Sequence, residues 1–260
     1  MDVLEKKTPD MYSDELKKII KLLTFKKHKL ILAGSASLKS QKYPADFDFM
    51  SNVPRDRDII PFLTNIIKEI DASLDYYFVE LKFQAKNKKL RFFPQQPVKQ
   101  IDVERIWNHI DFIKLDMIVR IENRFTEVSV IYSFESNLPT SEEYKKGNEE
   151  DIKELKSEGN YYKVLKRQFN IYKSNKDKKN LLKLSKIFNG EMGQKYQLIS
   201  NLEAIQKVLE YYQDTPTINR IKLNLKDLRL PDNVDTEKWV KEHKKLINDD
   251  AKKIYEDLKT

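Results

Sequence analysis

The sequence predicts an α+β protein, with a mixed sheet-and-helix half over residues 1–135 followed by a helical half over residues 136–260. Before about Phe134, short runs of period-two hydrophobicity alternate with runs of helical period; beyond it strand patterns vanish and lysine-rich helical stretches run to the C-terminus. Composition allows both halves to fold, because 40% hydrophobic residues against 35% charged ones supply a core beneath a wet surface. No repeat or low-complexity linker separates them, so the helical half is expected to dock onto the first rather than hang from a tether.

Residues 11–24 place Leu16, Ile19, Ile20 and Leu23 on one helical face with lysines opposite. Lys29 to Ala33 reads as a strand that ends at Gly34-Ser35, where glycine permits a sharp exit. Asp46 to Met50 alternates acid and aromatic, and residues 59–72 return to helical period. The runs from Tyr76 and from Leu90 read as two strands joined by a lysine-rich turn, and residues 98–108 as a short helix. Ile113 to Ile121 is a strand with Ile113, Leu115, Met117, Val119 and Ile121 on one face, and Glu122-Asn123-Arg124 turns it into Phe125 to Tyr132. From Ser141 onward helices follow, with breaks expected near Gly159, Gly190 and Thr215-Pro216-Thr217.

Absent residues exclude whole classes of chemistry. With no cysteine, disulfides, thiol nucleophiles, iron–sulfur clusters and thiolate zinc sites are out. The three histidines, His28, His109 and His243, form no His-x-x-x-His pair, and none of the five glycines is spaced for a Walker loop or a dinucleotide fingerprint. No apolar stretch is long enough to span a bilayer, and the N-terminus has no signal-peptide core, so the expectation is a cytoplasmic protein without a membrane partner. The net charge of +8 favours polyanions such as nucleic acid or nucleotide phosphates.

Residues 30–50 carry the chemistry. Period-two geometry sends Asp46 and Asp48 to one strand face while Phe47 and Phe49 enter the core. Two carboxylates side by side repel, an arrangement most easily kept if a divalent cation neutralises them, and hard oxygen donors suit Mg²⁺ or Mn²⁺. Gly34-Ser35, at a strand-to-helix turn, offers backbone N–H groups and a hydroxyl to a triphosphate. Paired ions call for a third acid, and Asp116 is the candidate, since it lies mid-strand on the face opposite Leu115 and Met117.

Gly34-Ser35, Asp46-x-Asp48 and Asp116 in that order resemble the DNA polymerase beta-like nucleotidyltransferases: Gly-Ser, a short helix, an Asp-x-Asp strand and a later strand with one more Asp. The resemblance spans roughly residues 28–135 and looks closest to the template-independent, poly(A) polymerase-like terminal transferases of large DNA viruses. Lys163 to Ser200 looks like the helical substrate-binding half that follows the palm in such enzymes. The resemblance implies a palm with a helical domain, Asp46, Asp48 and Asp116 as catalytic metal ligands, and transfer of a nucleoside monophosphate from ATP or another NTP to the 3′-hydroxyl of RNA. Gly34 and Ser35 would cradle the phosphates, with Lys166, Arg167 and Lys183 as further contacts to triphosphate or acceptor. A small-molecule or protein hydroxyl as acceptor, or a noncatalytic nucleic-acid-binding subunit, are the alternative readings.

Other motifs have plainer readings. Asp56 and Asp58 precede a helix, where acids complement N–H groups and the dipole. The basic run Lys163 to Lys186 holds one acid, Asp177, and reads either as a solvated face or as a polyanion contact. Gly190-Glu-Met-Gly193 is a poor phosphate clamp because of its internal Glu191, and Tyr196 reads as core in preference to a base-stacking platform.

Overall fold

The computed structural model describes residues 3–72, 76–85, 88–94, 96, 98–134, 141–219 and 235–259. The strands are β1 (Ile31–Leu32), β2 (Asp46–Asn52), β3 (Tyr76–Ala85), β4 (Lys88–Phe92), β5 (Ile110–Ile121) and β6 (Arg124–Ser133). They form one six-stranded sheet in the order β1-β2-β6-β5-β3-β4. Only β2 and β6 run parallel; the other neighbours are antiparallel. The β5–β6 hairpin turns on Glu122 and Asn123, both at positive φ (51° and 63°), the geometry of a two-residue turn whose twist matches that of the strands.

The predicted alternation decides the two faces of the sheet. Ile113, Leu115, Met117, Val119 and Ile121 are buried with Phe47, Phe49, Val128 and Val130. Against them pack α1 (Asp14–Leu23), capped by Ser13, and α2 (Ile59–Ala72). The opposite face carries Tyr77, Ile118 and Phe125 at one end, covered by Ala204, Ile205 and Val208 of α7 (Glu191–Tyr211), and polar side chains over the rest.

Predicted elements and observed ones differ at the margins. The first strand is only two residues long, because it is an edge pair with β2 that the Gly34 turn cuts off. The short helix splits into α3 (Gln100–Glu104) and a 3₁₀ turn at Trp107–His109. The expected boundary near residue 136 lies outside the described residues. In the helical half, α4 (Ser141–Ser157), α5 (Tyr161–Ser174), α6 (Lys178–Phe188) and α7 break at Gly159 and Gly190 as expected, whereas the third break falls at 212–214, after α7 ends at Tyr211, and residues 215–217 are themselves helical. One break the periodicity missed separates α5 from α6, where Asp177 caps the next helix by accepting from the Asn180 N–H at 3.2 Å. The last described helix is α8 (Thr236–Asp257).

The halves are docked. Leu38 and Ala45 of the first half are buried in the core that α4 to α8 build, and Asn189 after α6 donates to Ser40 O at 2.5 Å and accepts from Lys42 N at 2.7 Å. Gly193 belongs to this packing and not to a phosphate clamp. A Cβ there would sit 1.8 Å from the Phe188 carbonyl oxygen, so only glycine lets α6 and α7 meet at this angle. Gly193→Ala should therefore cost about 3 kcal/mol of stability. Gly147→Ala, mid-helix with nothing within 4 Å, should gain about 0.5–1 kcal/mol. Urea denaturation of both variants checks this, and equal midpoints would refute the close approach.

Candidate active site

The site is built around β2. Phe47 and Phe49 are buried in the sheet core, which forces Asp46 and Asp48 onto the other face, where both line a cleft of about 1460 Å³ between sheet and helical half. The start of β2 is pinned from three directions: Arg124 Nη2 donates to Pro44 O at 2.8 Å, Gln197 Nε2 to the same oxygen at 3.1 Å, and Thr126 Oγ1 to Ala45 O at 3.0 Å. Beside the strand, Ala33 N donates to Asp48 O at 2.7 Å and Gly34 takes φ 63° before a 3₁₀ turn over Ser35–Ser37. A Cβ at Gly34 would lie 3.2 Å from Asp48 Oδ2. Glycine is therefore required twice, for its backbone angle and for its closeness to the carboxylate.

Asp48 is open to the cleft, yet the walls crowd it. Burial pushes its carboxyl up to about 6, and the neighbouring charge of Asp46 pushes the same way, against Lys114 from the sheet and Lys166 from α5. The α5 wall supplies Lys163, Lys166, Arg167 and Lys173, brought to one helix face by their spacing, and Lys6 from the N-terminal segment joins them. Burial and then the charge of Lys6 lower the Lys173 ammonium. Two further cations that line the cleft are matched by acids: Lys207 pairs with Glu127, and Lys244 with Glu203 at 2.6 Å. The cleft thus combines a cationic α5 wall with cations paired to acids on neighbouring elements.

The structure brings Gly34, Ser35, Asp46, Asp48, Lys166 and Arg167 to this cleft. Arg167 is also engaged by Asp151 at 2.8 Å, and Lys166 lies over the rings of Tyr162 and Tyr196 at 5.9 and 5.5 Å. Lys183 does not join them. Leu181, Leu184 and Phe188 turn the inner face of α6 to the core, which leaves Lys183 exposed outside the cleft. Asp116 sits on the expected face but does not line the cleft. It is buried, accepts from Ser129 Oγ at 2.5 Å and pairs with Lys114 at 2.8 Å. Tyr196 is buried against Tyr162 in core packing, and Asp56 and Asp58 bind Lys26 ahead of α2.

Sequence reasoning missed Glu127, Ser129 and Lys114. Glu127 stands in register beside Asp46, and Ser129 beside both Asp48 and, on its other flank, Asp116. The period-two pattern of Phe125 to Tyr132 carried the signal, since it puts Glu127 and Ser129 on the face opposite Val128 and Val130; which strand lay alongside β2 was not legible.

The donor set fits a divalent cation through Asp46 and Asp48, whose oxygens are hard and of which Asp48 has its pKa raised by burial first and by the charge of Asp46 second. Among the described residues no third acidic or histidine side chain joins them, and Glu127, the carboxylate next in register, is paired with Lys207.

A pH-dependent stability follows. Folded Asp48 titrates near about 6 against 3.8 unpaired, so folding takes up a proton between those values and Asp48 weakens the fold as pH rises through that window. In metal-free buffer Asp48→Asn should raise Tm above pH ~6, with the gain closing toward pH ~4. A Tm difference independent of pH would show that the carboxylate is not strained.

No family model and no curated protein matches the sequence. Solved structures do match. A structure described as a new nucleotidyl transferase encoded by a Megaviridae ORFan gene aligns with TM-score 0.66 at 14% identity, covering 99% of this chain and 94% of that one. The Mg662 protein of M. chilensis, complexed with GTP, aligns with TM-score 0.62 at 14% identity over 94% and 93% of the two chains. A further Megaviridae nucleotidyl transferase structure gives TM-score 0.60 at 12% identity over 94% of each. What these proteins share with this chain at such identities is the fold, so the chain has the α+β fold of these three structures, two of them described as nucleotidyl transferases.

Proposed function

We propose that the protein is a metal-dependent nucleotidyltransferase that moves a nucleoside monophosphate from an NTP, in our reading ATP, to the 3′-hydroxyl of RNA without a template. The observation that carries this reading is that Asp46 and Asp48 project from one strand into a cleft flanked by the Gly34-Ser35 turn and the cationic face of α5. The fold shared with nucleotidyl transferases supports it, and so does the GTP bound to the Mg662 protein.

In this reading the Gly34 turn and the Ser35 hydroxyl receive the β- and γ-phosphates, and Lys166, Lys173 and Lys6 offset their charge. Arg167, paired with Asp151, adds a guanidinium at the same wall. The acceptor oxygen attacks the α-phosphorus as its proton passes to water in the open cleft, the bond to the β-phosphate bridging oxygen breaks, and pyrophosphate departs toward the cations. Mg²⁺ or Mn²⁺ held by Asp46 and Asp48, with Glu127 next in register, would lower the pKa of the attacking hydroxyl and neutralise the leaving group. Asp116, enclosed by Lys114 and Ser129, would act through its neighbours and not as a direct ligand. Exposed Lys176, Lys178 and Lys179 at the α5–α6 corner extend the positive surface toward an RNA strand.

The test is purified protein with Mg²⁺ or Mn²⁺, each labelled triphosphate in turn, and RNA, DNA and small hydroxyl acceptors. Transfer to RNA 3′ ends is expected; no transfer to any acceptor would overturn the reading. Asp48→Asn should lower kcat/KM about a hundredfold or more. Lys166→Met should raise the KM for triphosphate about tenfold. Gly34→Ala, strained at φ +63°, should weaken triphosphate binding, and Lys183→Met should change nothing. A Lys183 effect as large as that of Lys166 would displace the triphosphate from the α5 wall.

A further inference from the structure

We infer that Lys114, held in place by Asp116, seats the acceptor by binding a phosphodiester next to the reacting hydroxyl; the inference rests on the transfer reaction proposed above. Across the sheet the order is β1 with the Gly34-Ser35 turn, then β2 with Asp46 and Asp48, then β6 with Glu127 and Ser129, then β5 with Lys114 and Asp116. An in-line displacement puts attacking and leaving oxygens on opposite sides of the phosphorus. With the triphosphate on the β1 side, the acceptor must approach over β6 and β5. Lys114 lies there, lines the cleft, and is felt electrostatically by Asp48.

Its setting differs from that of Lys207 and Lys244, which also line the cleft. Lys207 and Lys244 pair with acids across the cleft walls, whereas the partner of Lys114 lies within its own strand. Asp116 is 6% exposed and is braced by Ser129 Oγ at 2.5 Å and by Lys82 at 3.9 Å. Lys82 in turn meets Glu80 at 3.4 Å, and Arg91 holds Glu80. A buried carboxylate is costly to keep, and a network of this kind adds little to stability over apolar packing. What it does supply is a fixed position for an ammonium that would otherwise sweep at the end of a flexible stem. An ammonium has three donors, and Asp116 engages one side of it. Asp116 is thus a positioning residue acting through Lys114.

The experiment measures steady-state transfer to two oligoadenylate acceptors, one natural and one with a neutral methylphosphonate at its last linkage. Nucleotide binding is measured separately on the same proteins. Lys114→Met should raise the acceptor KM about tenfold with the natural strand, leave triphosphate binding unchanged, and remove the preference for the natural linkage. Lys114→Arg should restore most of the loss. Asp116→Asn should shift the acceptor KM in the same direction without changing the Mg²⁺ concentration needed for half-maximal rate. A wild type that transfers to the natural strand, with a Lys114→Met variant of unchanged acceptor KM, overturns the inference and leaves the proposed reaction intact. So does a wild type that is indifferent to the neutral linkage or active only on acceptors without phosphate. An Asp116→Asn variant that needs far more Mg²⁺ at unaltered acceptor KM would make Asp116 a metal ligand and overturn its positioning role. A wild type inactive on every acceptor would remove both readings.

Discussion

Two like charges on one face of a single strand are the constraint around which the molecule is arranged. Phe47 and Phe49 are locked into the sheet core, so the intervening acids cannot turn away from each other without a register slip that would expose both aromatic rings. The repulsion is held in place by hydrophobic burial, and it adds to the desolvation that raises the Asp48 carboxyl. Cations gather accordingly, with Lys166 on one side and Lys114 on the other.

The helical half completes the site. Gln197 at the start of β2, Asn189 at the loop before it, and Leu38 and Ala45 in the helical core tie the halves together at the residues that place Asp46. Any change in that docking would move the α5 cations relative to the carboxylates, so packing between the halves and charge geometry in the cleft are one problem.

The polar side chains on the open sheet face form a second arrangement of charges, running from Ser129 through Asp116 and Lys82 to Glu80 and Arg91 across adjacent strands. Each acid meets a partner on a neighbouring strand or two residues along its own, which lets a buried carboxylate persist beneath the cleft floor. Register alone produces this row, since period-two side chains of paired strands fall on a common face.

Local patterns determined much of this from the sequence alone. The strand alternations at Asp46–Met50 and Ile113–Ile121, the turn at Gly34-Ser35, the hairpin turn at Glu122-Asn123 and the helical character after Phe134 are all properties of neighbouring residues, and each appears in the fold. The face on which Asp116 lies was legible for the same reason. Its partners were not, because strand order decides them: β6 inserts between β2 and β5, so Glu127 and Ser129 stand next to the paired aspartates while Asp116 is one strand removed and enclosed by Lys114. Likewise, helical period could place Lys166 and Lys183 on helices, but only the packing of α5 and α6 turned one toward the cleft and the other to solvent. Period is encoded along the chain, whereas adjacency between strands and the inward face of a docked helix arise from long-range burial, which a single sequence does not display.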